Sequence, residues 1–355
     1  MLKVLCCKIG INNKFFYSVS SVEIERSMKM LVDTCILELP ATAVHRRNGE
    51  YVSSVPTAKS FGVGDEVVVE LGYNDELQTE FRGFVKSIAP TTPTKIVCED
   101  ETFLLKKRTI NKHYANATIK QIIQDCIEGT GITVANTIPD VNLHEWTIRN
   151  ASAAYVLQKL IEDFALCIFF PSWKKIHVGI TVGAVVQTTT KYEIGKNVVD
   201  NDLEVVDSED TKLQLECKTI LKSGEHLVVT VGDDGQYTDK TDKKRTDKTP
   251  KKVEQKAKAD IVVEGEKRTM YFYNVQNKAD LVKIGLAHLK KLKYTGLKGS
   301  LTGFLKPYVE CGQSVSVIDN RYENRLDGIY LAEKVVVKFG EQGGRRTIYL
   351  GLKLN

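Results

Sequence analysis

The chain of 355 residues carries 50 Lys and Arg against 45 Asp and Glu, with 42% hydrophobic and 27% charged residues and a mean hydropathy of -0.20. That balance supplies apolar surface for two or three cores and excludes wholesale disorder or a disulfide-stapled miniature, while 8 Pro and 25 Gly exclude a collagen-like or low-complexity chain. No stretch approaches the roughly 18 consecutive apolar residues of a bilayer span, and the start Met1 to Lys8 lacks the long apolar core of a signal peptide, so the expectation is a protein made and kept in the cytoplasm with no membrane-spanning segment.

From Val19 to Pro40 charged and apolar positions alternate, as in Val22-Glu23-Ile24-Glu25-Arg26 and Cys35-Ile36-Leu37-Glu38-Leu39, which predicts half-buried strands. Gly64-Asp65-Glu66-Val67-Val68-Val69-Glu70-Leu71, the turn Gly72-Tyr73-Asn74-Asp75 and the return Phe81 to Ile88 predict a hairpin inside a small barrel or sandwich. Between about 106 and 185 the period changes. Thr118-x-x-Gln121 is a capping box, after which Ile119, Ile122, Ile123, Cys126 and Ile127 share one helical face until Gly129 and Gly131. A second helix, capped by Asn150 or Ser152, aligns Ala153, Val156, Leu157, Leu160, Ile161 and Phe164, and a hairpin follows with Leu166 to Phe170, a turn over Pro171 to Lys175, and Ile176 to Gly179. Strands return near 190, including Leu213 to Cys217 and Leu227 to Val231; an amphipathic helix is predicted over Lys278 to Lys293, and the last sixty residues read as β.

The eight cysteines, Cys6, Cys7, Cys35, Cys98, Cys126, Cys167, Cys217 and Cys311, form no C-x-x-C pair and sit mostly in apolar runs, the pattern of buried reduced thiols. The net charge of +5 resides in one window. From Asp239 to Lys258 nine Lys and Arg face four acids, and the rest of the chain is balanced. Such a run, broken by Thr and Pro250, cannot bury apolar surface by itself and reads as a solvated mobile arm. Its functional alternative is contact with a polyanion or a partner through Lys243, Lys244, Arg245, Lys248, Lys251 and Lys252.

Two hairpins share a grammar. Gly64-x-x-Val67-x-Val69 with Gly83-x-Val85 parallels Gly312-x-x-Val315-x-Val317 with Gly328-x-Tyr330, at Gly-to-Gly spacings of 19 and 16. If the repeat is structural, the chain holds two copies of one barrel, with Gly64, Asp65, Gly83, Gly312 and Gly328 at its turns, and a trimer would present six.

The search for chemistry returns little. There is no G-x-x-x-x-G-K-[ST], G-x-S-x-G or H-E-x-x-H, the six histidines are scattered singly, and Gly62-Val63-Gly64 lacks a third glycine. Neither a cofactor nor a metal site is expected. Glu99-Asp100-Glu101 is the densest acidic cluster; on a strand only Glu99 and Glu101 would share a face, and a solvated sheet edge is expected there. Tyr271, Phe272 and Tyr273 read as core or interface packing.

In order along the chain, Gly64-Asp65-Glu66-Val67-Val68-Val69 with Phe81-x-Gly83-x-Val85, Ile96-Val97-Cys98-Glu99-Asp100 before Leu104-Leu105, the Thr118-Ile119-Lys120-Gln121-Ile122 helix, the Ala151-Ser152-Ala153 helix, the Phe169-Phe170 hairpin and the close from Gly328 through Gly343-Gly344-Arg345-Arg346-Thr347-Ile348 to Gly351 resemble the late control protein D family. These are phage tail or baseplate hub proteins, and the N-terminal hub part of type VI secretion spike proteins is similar. The resemblance implies a β-rich α+β chain, with two related small β-barrel domains flanking and packed with smaller α+β domains. The expected division is 1–105 for the first barrel, 106–185 for a small α+β domain of two helices and a hairpin, 186–296 for a strand-rich segment with the basic loop 239–258 and helix 278–293, and 297–355 for strands completing the second barrel. It also implies a non-enzymatic homotrimer adapting a hexameric tail-tube protein to a trimeric spike or tail-tip protein, with DNA or tape-measure protein passing a central channel, located in the virion tail and assembled in the bacterial host cytoplasm. The basic window is not part of the family pattern. The competing readings are a nucleic-acid-binding β-barrel protein using arm 239–258, and a hub-associated cell-wall hydrolase, for which no convincing carboxylate pair is seen.

Overall fold

A computed structural model describes residues 4–47, 50–138, 142–164, 166–179, 189–206, 213–220, 226–232, 237–239, 266–272, 275, 277–292, 296–319 and 327–354. The first strands are β1 (Leu5–Ile11), β2 (Lys14–Phe16), β3 (Ser21–Ser27), β4 (Thr34–Leu39), β5 (Thr42–Arg47), β6 (Glu50–Pro56), β7 (Glu66–Tyr73), β8 (Glu76–Ala89) and β9 (Thr94–Glu99). A short helix α1 (Thr102–Lys107) leads into β10 (Thr109–Thr118), α2 (Ile119–Ile127), β11 (Thr133–Val134), β12 (Asn142–Ser152), α3 (Ala153–Phe164), β13 (Cys167–Ser172) and β14 (Lys175–Gly179). Then come β15 (Thr189–Glu193), β16 (Val198–Val206), β17 (Leu213–Ile220), β18 (His226–Gly232), β19 (Tyr237–Asp239), β20 (Glu266–Tyr271) and α4 (Lys278–Leu292). The chain ends with β21 (Gly296–Gly303), β22 (Ser314–Ile318), β23 (Gly328–Gly340) and β24 (Gly343–Lys353).

Thirteen strands form one sheet, with the path β16-β21-β24-β23-β3-β4-β9-β8-β7-β1-β2 and with β22 beside β23 and β15 beside β22. Alternation of burial builds it: Ile9, Ile11, Val67, Val69, Leu37 and Ile96 are all buried while their neighbours along each strand are more exposed. Asn74 and Asp75 both take positive φ, 52° and 63°, which closes the β7–β8 hairpin with the twist that a two-residue turn requires. One hydrophobic core runs through both barrels, from Ile9 and Val22 to Val315 and Leu350.

The helical part has a second core. The predicted capping box is present, with the Thr118 hydroxyl accepting from the Gln121 N–H and the Gln121 carboxamide accepting from the Thr118 N–H. Ser152 is the residue that caps α3, its Oγ accepting from the Tyr155 N–H at 3.2 Å; Asn150 instead sits at a φ of 45° in β12. The region from 106 to 185 holds more than two helices and a hairpin, because β10 and β12 pair antiparallel beside them and β11 joins the β13–β14 hairpin in parallel. The stretch from 186 to 296 is shared out: β15 and β16 belong to the large sheet, while β17, β18, β19 and β20 form a separate four-stranded sheet under α4. Phe272 is buried there against His288, whereas Tyr273 lies outside the described residues.

Candidate assembly surface

The two barrels are copies of one unit. Strands β3, β4, β7, β8 and β9 lie in the order β3-β4-β9-β8-β7, and β16, β21, β22, β23 and β24 lie in the order β16-β21-β24-β23-β22. The correspondence extends to single hydrogen bonds. Gly64 (φ 95°) donates to the Val85 carbonyl and Asp65 accepts from the Val85 N–H; Gly312 (φ 88°) donates to the Ala332 carbonyl and Gln313 accepts from the Ala332 N–H. The side chain of Asp65 accepts from the Gly62 N–H at 2.8 Å, and that of Gln313 from the Glu310 N–H at 3.1 Å. Both glycines stand where an L side chain would be strained.

Both return strands also carry a bulge at the same place. Val85 faces Cys98 and Ser87 faces Val97 across β8–β9; Ala332 faces Leu350 and Lys334 faces Tyr349 across β23–β24. This register corrects the alignment expected from sequence. Val67 faces Gly83 and Val315 faces Tyr330, so the counterpart of Gly83 is Tyr330, and Gly328 takes the place of Phe81. Gly328 is small because a Cβ there would come within 2.8 Å of the Tyr330 ring.

Inside the chain the barrels are joined edge to edge. The far half of β23 pairs antiparallel with β3, from Lys334 opposite Ser27 to Gly340 opposite Ser21. Lys334 pairs with Glu25 at 2.6 Å and Lys338 with Glu23 at 3.4 Å along its outer face. By strand order the counterpart of β3 is β16, which ends the sheet. Its acids Asp200, Asp202 and Glu204 are exposed, as are Val199 and, at 60%, Val205. The counterpart of the far half of β23 is the end of β8. Ser87 to Ala89 pair with β9 on one side, and no described strand lies on the other. Unpaired strand edges of this kind are templates for a further chain.

Behind the seam lies a polar junction. Arg346 of β24, 1% exposed, reaches Glu80 of β8 at 2.6 Å and donates to the Leu305 and Val309 carbonyls. Burial raises the Glu80 pKa despite the guanidinium. Arg26 pairs with Asp33 at 3.1 Å and Glu310 at 3.4 Å and donates to the Phe170 carbonyl, so it ties both barrels to the α+β part. Burial opposes its charge, yet the carboxylates of Asp33 and Glu310 outweigh that and raise its pKa.

The acidic triplet is not a solvated edge. Glu99, Asp100 and Glu101 are all buried, because the strand ends at Glu99 and the chain turns into α1 with Glu101 at its N-cap. Glu99 is held below its usual pKa by Lys106 and Lys86, which overcome burial. Asp100 accepts from the Asp33 and Thr102 N–H groups, and burial together with Asp33 raises its pKa strongly. Glu101 accepts from the Lys174 N–H. A cleft of about 180 Å³ opens at this junction, lined among others by Arg26, Glu80, Arg82, Glu101, Trp173 and Glu310. Sequence reasoning missed it because the partners of each carboxyl come from distant segments.

Gly64, Asp65, Gly83, Gly312 and Gly328 thus converge on the two barrels, whereas Lys243, Lys244, Arg245, Lys248, Lys251 and Lys252 lie outside the described residues. Seven cysteines are buried and Cys6 is half-buried, all as free thiols. Among the described residues no group of three or more His, Cys, Asp or Glu is arranged to hold a metal ion, and no helix is long and apolar enough to cross a membrane.

No family model and no curated protein matches the sequence. Solved structures do match. The 43 kDa tail protein of prophage MuSo2 from Shewanella oneidensis is 15% identical with a TM-score of 0.60, the match covering 97% of each chain. The tail protein from Neisseria meningitidis is 12% identical with a TM-score of 0.65, over 98% of this chain and 96% of that one. An E. coli component of the type VI secretion system, described as structurally similar to the bacteriophage T4 tail proteins gp27 and gp5, is 8% identical with a TM-score of 0.56, over 98% of this chain and 77% of that one. This chain therefore shares the β-rich, two-barrel fold of these phage and prophage tail proteins and of the type VI secretion component.

Proposed function

We propose that the chain is a structural hub of a phage or phage-like tail baseplate or tail tip, without enzymatic activity, working as a homotrimeric ring of six pseudo-equivalent barrels. The ring adapts a hexameric tail tube to a trimeric spike or tip protein and leaves a channel for DNA or tape-measure protein; it resides in the virion tail after assembly in the host cytoplasm. The observation that carries the reading is the edge-to-edge union of two copies of one barrel in a single chain, with no strand among the described residues on the matching edge of the second copy. A head-to-tail contact that repeats such a step closes into a ring, and three chains of two barrels give sixfold pseudo-symmetry. The junction carboxyls Glu80, Glu99 and Glu101 support a structural role, since each is engaged by a cation or a backbone N–H.

Light scattering on the full chain at several protein concentrations and two salt concentrations tests this. Three copies of a 39.8 kDa chain give about 119 kDa. A salt-insensitive mass at that value is the expected result; a monomer at every concentration overturns the ring.

A further inference from the structure

The internal repeat makes it possible to read a contact between chains from one within the chain. We infer that the ring is closed by β16 of one chain pairing antiparallel with the end of β8 of a second copy, in the register that β3 and β23 already use inside each chain. This rests on the ring reading above and specifies the surface through which the copies meet.

The register follows from the residue correspondences. Ile24 faces Cys35 and Cys35 faces Cys98 in the first barrel; Leu203 faces Gly299 and Gly299 faces Leu350 in the second. Leu203 therefore stands for Ile24, Glu204 for Glu25 and Val205 for Arg26. On the partner side the shared bulge makes Ser87 stand for Lys334, Ile88 for Val335 and Ala89 for Val336. Within the chain Val335 faces Arg26 and Val336 faces Glu25. Between chains Ile88 then faces Val205 and Ala89 faces Glu204.

Three features of the two edges fit this union. Among the described residues no strand pairs with β16 on the side where β3 receives β23, and Val205 is exposed. Among the described residues no strand pairs with the end of β8 on the side where β23 receives β3, immediately past the Gly64–Val85 bonds, as the inner seam begins just past the Gly312–Ala332 bonds. The seam between chains is also shorter. Pro90, which has no N–H to donate, follows Ala89 where β23 continues to Gly340. The in-chain seam spans seven residue pairs, so the contact between chains is the smaller of the two.

The test places cysteines at Ala89→Cys and Glu204→Cys together, in a Cys6→Ser background so that the half-buried native thiol is removed. Directly opposed residues on paired strands bring their Cβ atoms to about 4.5–5.5 Å, within reach of mild oxidation or a short bis-maleimide. Covalent dimers and trimers on a non-reducing gel are expected from the double variant, none from either single variant, and few from Ala89→Cys with Asp202→Cys, which is two residues out of register. Light scattering on the uncrosslinked protein separates the two levels of the argument. A trimer mass without cross-linking in the double variant overturns the register and leaves the ring standing. A monomer mass without cross-links overturns both. Equal cross-linking in the two double variants also overturns the register.

Discussion

The two barrels agree where the backbone is constrained and differ where it is not. Strand order, the position of the bulge and the glycine turn with its carboxyl or carboxamide bond are the same in both. Close backbone approaches between neighbouring strands, away from the β7–β8 hairpin turn, are not. In the first barrel a Cβ at Gly83 would stand 2.2 Å from the Glu99 carbonyl, between β8 and β9; in the second the tight approach is at Gly299, 1.8 Å from the Asp202 carbonyl, between β21 and β16. Their counterparts are Tyr330 and Cys35. A repeat of this kind keeps hydrogen-bond register and lets side-chain packing drift, which is why so little of it survives as identity.

The largest departure from equivalence is Arg346, whose counterpart in the first barrel is Thr94. Both are buried, but only Arg346 reaches into the other barrel to Glu80. Arg346→Met leaves Glu80 buried without its cation and is expected to cost about 3–5 kcal/mol. The double change Arg346→Met with Glu80→Leu should recover most of that. Urea denaturation of the three variants checks it, and equal loss in the single and double variants would show that the pair matters only for its volume.

Next in size are the two turn glycines. Gly64→Ala and Gly312→Ala each force a side chain into positive φ, at a cost of about 1–3 kcal/mol. A Cβ at Gly312 would additionally come within 2.9 Å of the Phe169 ring, whereas at Gly64 the nearest atom is the end of Lys107 at 3.4 Å. Gly312→Ala should therefore lower the urea midpoint more than Gly64→Ala. The reverse order would mean that the ring of Phe169 moves aside freely.

The acidic junction and the separate four-stranded sheet respond oppositely to pH. Burial and the neighbouring Asp33 raise the Asp100 pKa, so its favourable contribution is complete below the unfolded carboxyl value and is lost as pH rises through the folded one. Glu216, far from the junction on β17, behaves oppositely: burial is outweighed by Lys218 and Lys267, its pKa falls to about 2, and its contribution is lost as pH drops from 4.5 toward that value. Asp33 and Glu101 add negative charge near Asp100, and Arg26 opposes them. Thermal melts of the wild type and Asp100→Asn between pH 4 and 8 should show the wild type losing stability relative to the variant as pH rises. For Glu216→Gln the gap to wild type should instead shrink as pH falls below 4.5.

What the sequence disclosed follows from the range of the interactions involved. The α2 capping box and the Asn74-Asp75 turn are local, and both stand as read. The pattern of β10, Thr-Ile-Asn-Lys-His-Tyr-Ala-Asn-Ala-Thr, does not alternate, because only Ile110, Tyr114 and Ala117 are buried and its register with β12 shifts three times. The burial of Glu99, Asp100 and Glu101 depends on Lys86, Asp33 and Lys174, and no spacing within the triplet signals them. The repeat was visible at Gly64 and Gly312, where a turn demands glycine. It misled at Gly328, where glycine answers to the Tyr330 ring.

The smallest effect expected is at the outer face of the seam, and it bears most directly on how the barrels are held. Lys334 and Glu25 lie at 2.6 Å with side chains 32% and 46% exposed, so solvent and salt screen the pair and its coupling should be about 0.2–1 kcal/mol. Their counterparts between chains are Ser87 and Glu204, which cannot form an ion pair. If main-chain pairing supplies the seam, a double-mutant cycle with Lys334→Ala and Glu25→Ala will return that small coupling, and 0.5 M salt will reduce it without separating the barrels. A coupling several times larger would mean that charge fixes the inner seam. The outer edge of β16 would then need a cationic partner for Asp202 and Glu204, which the end of β8 supplies only through Lys86.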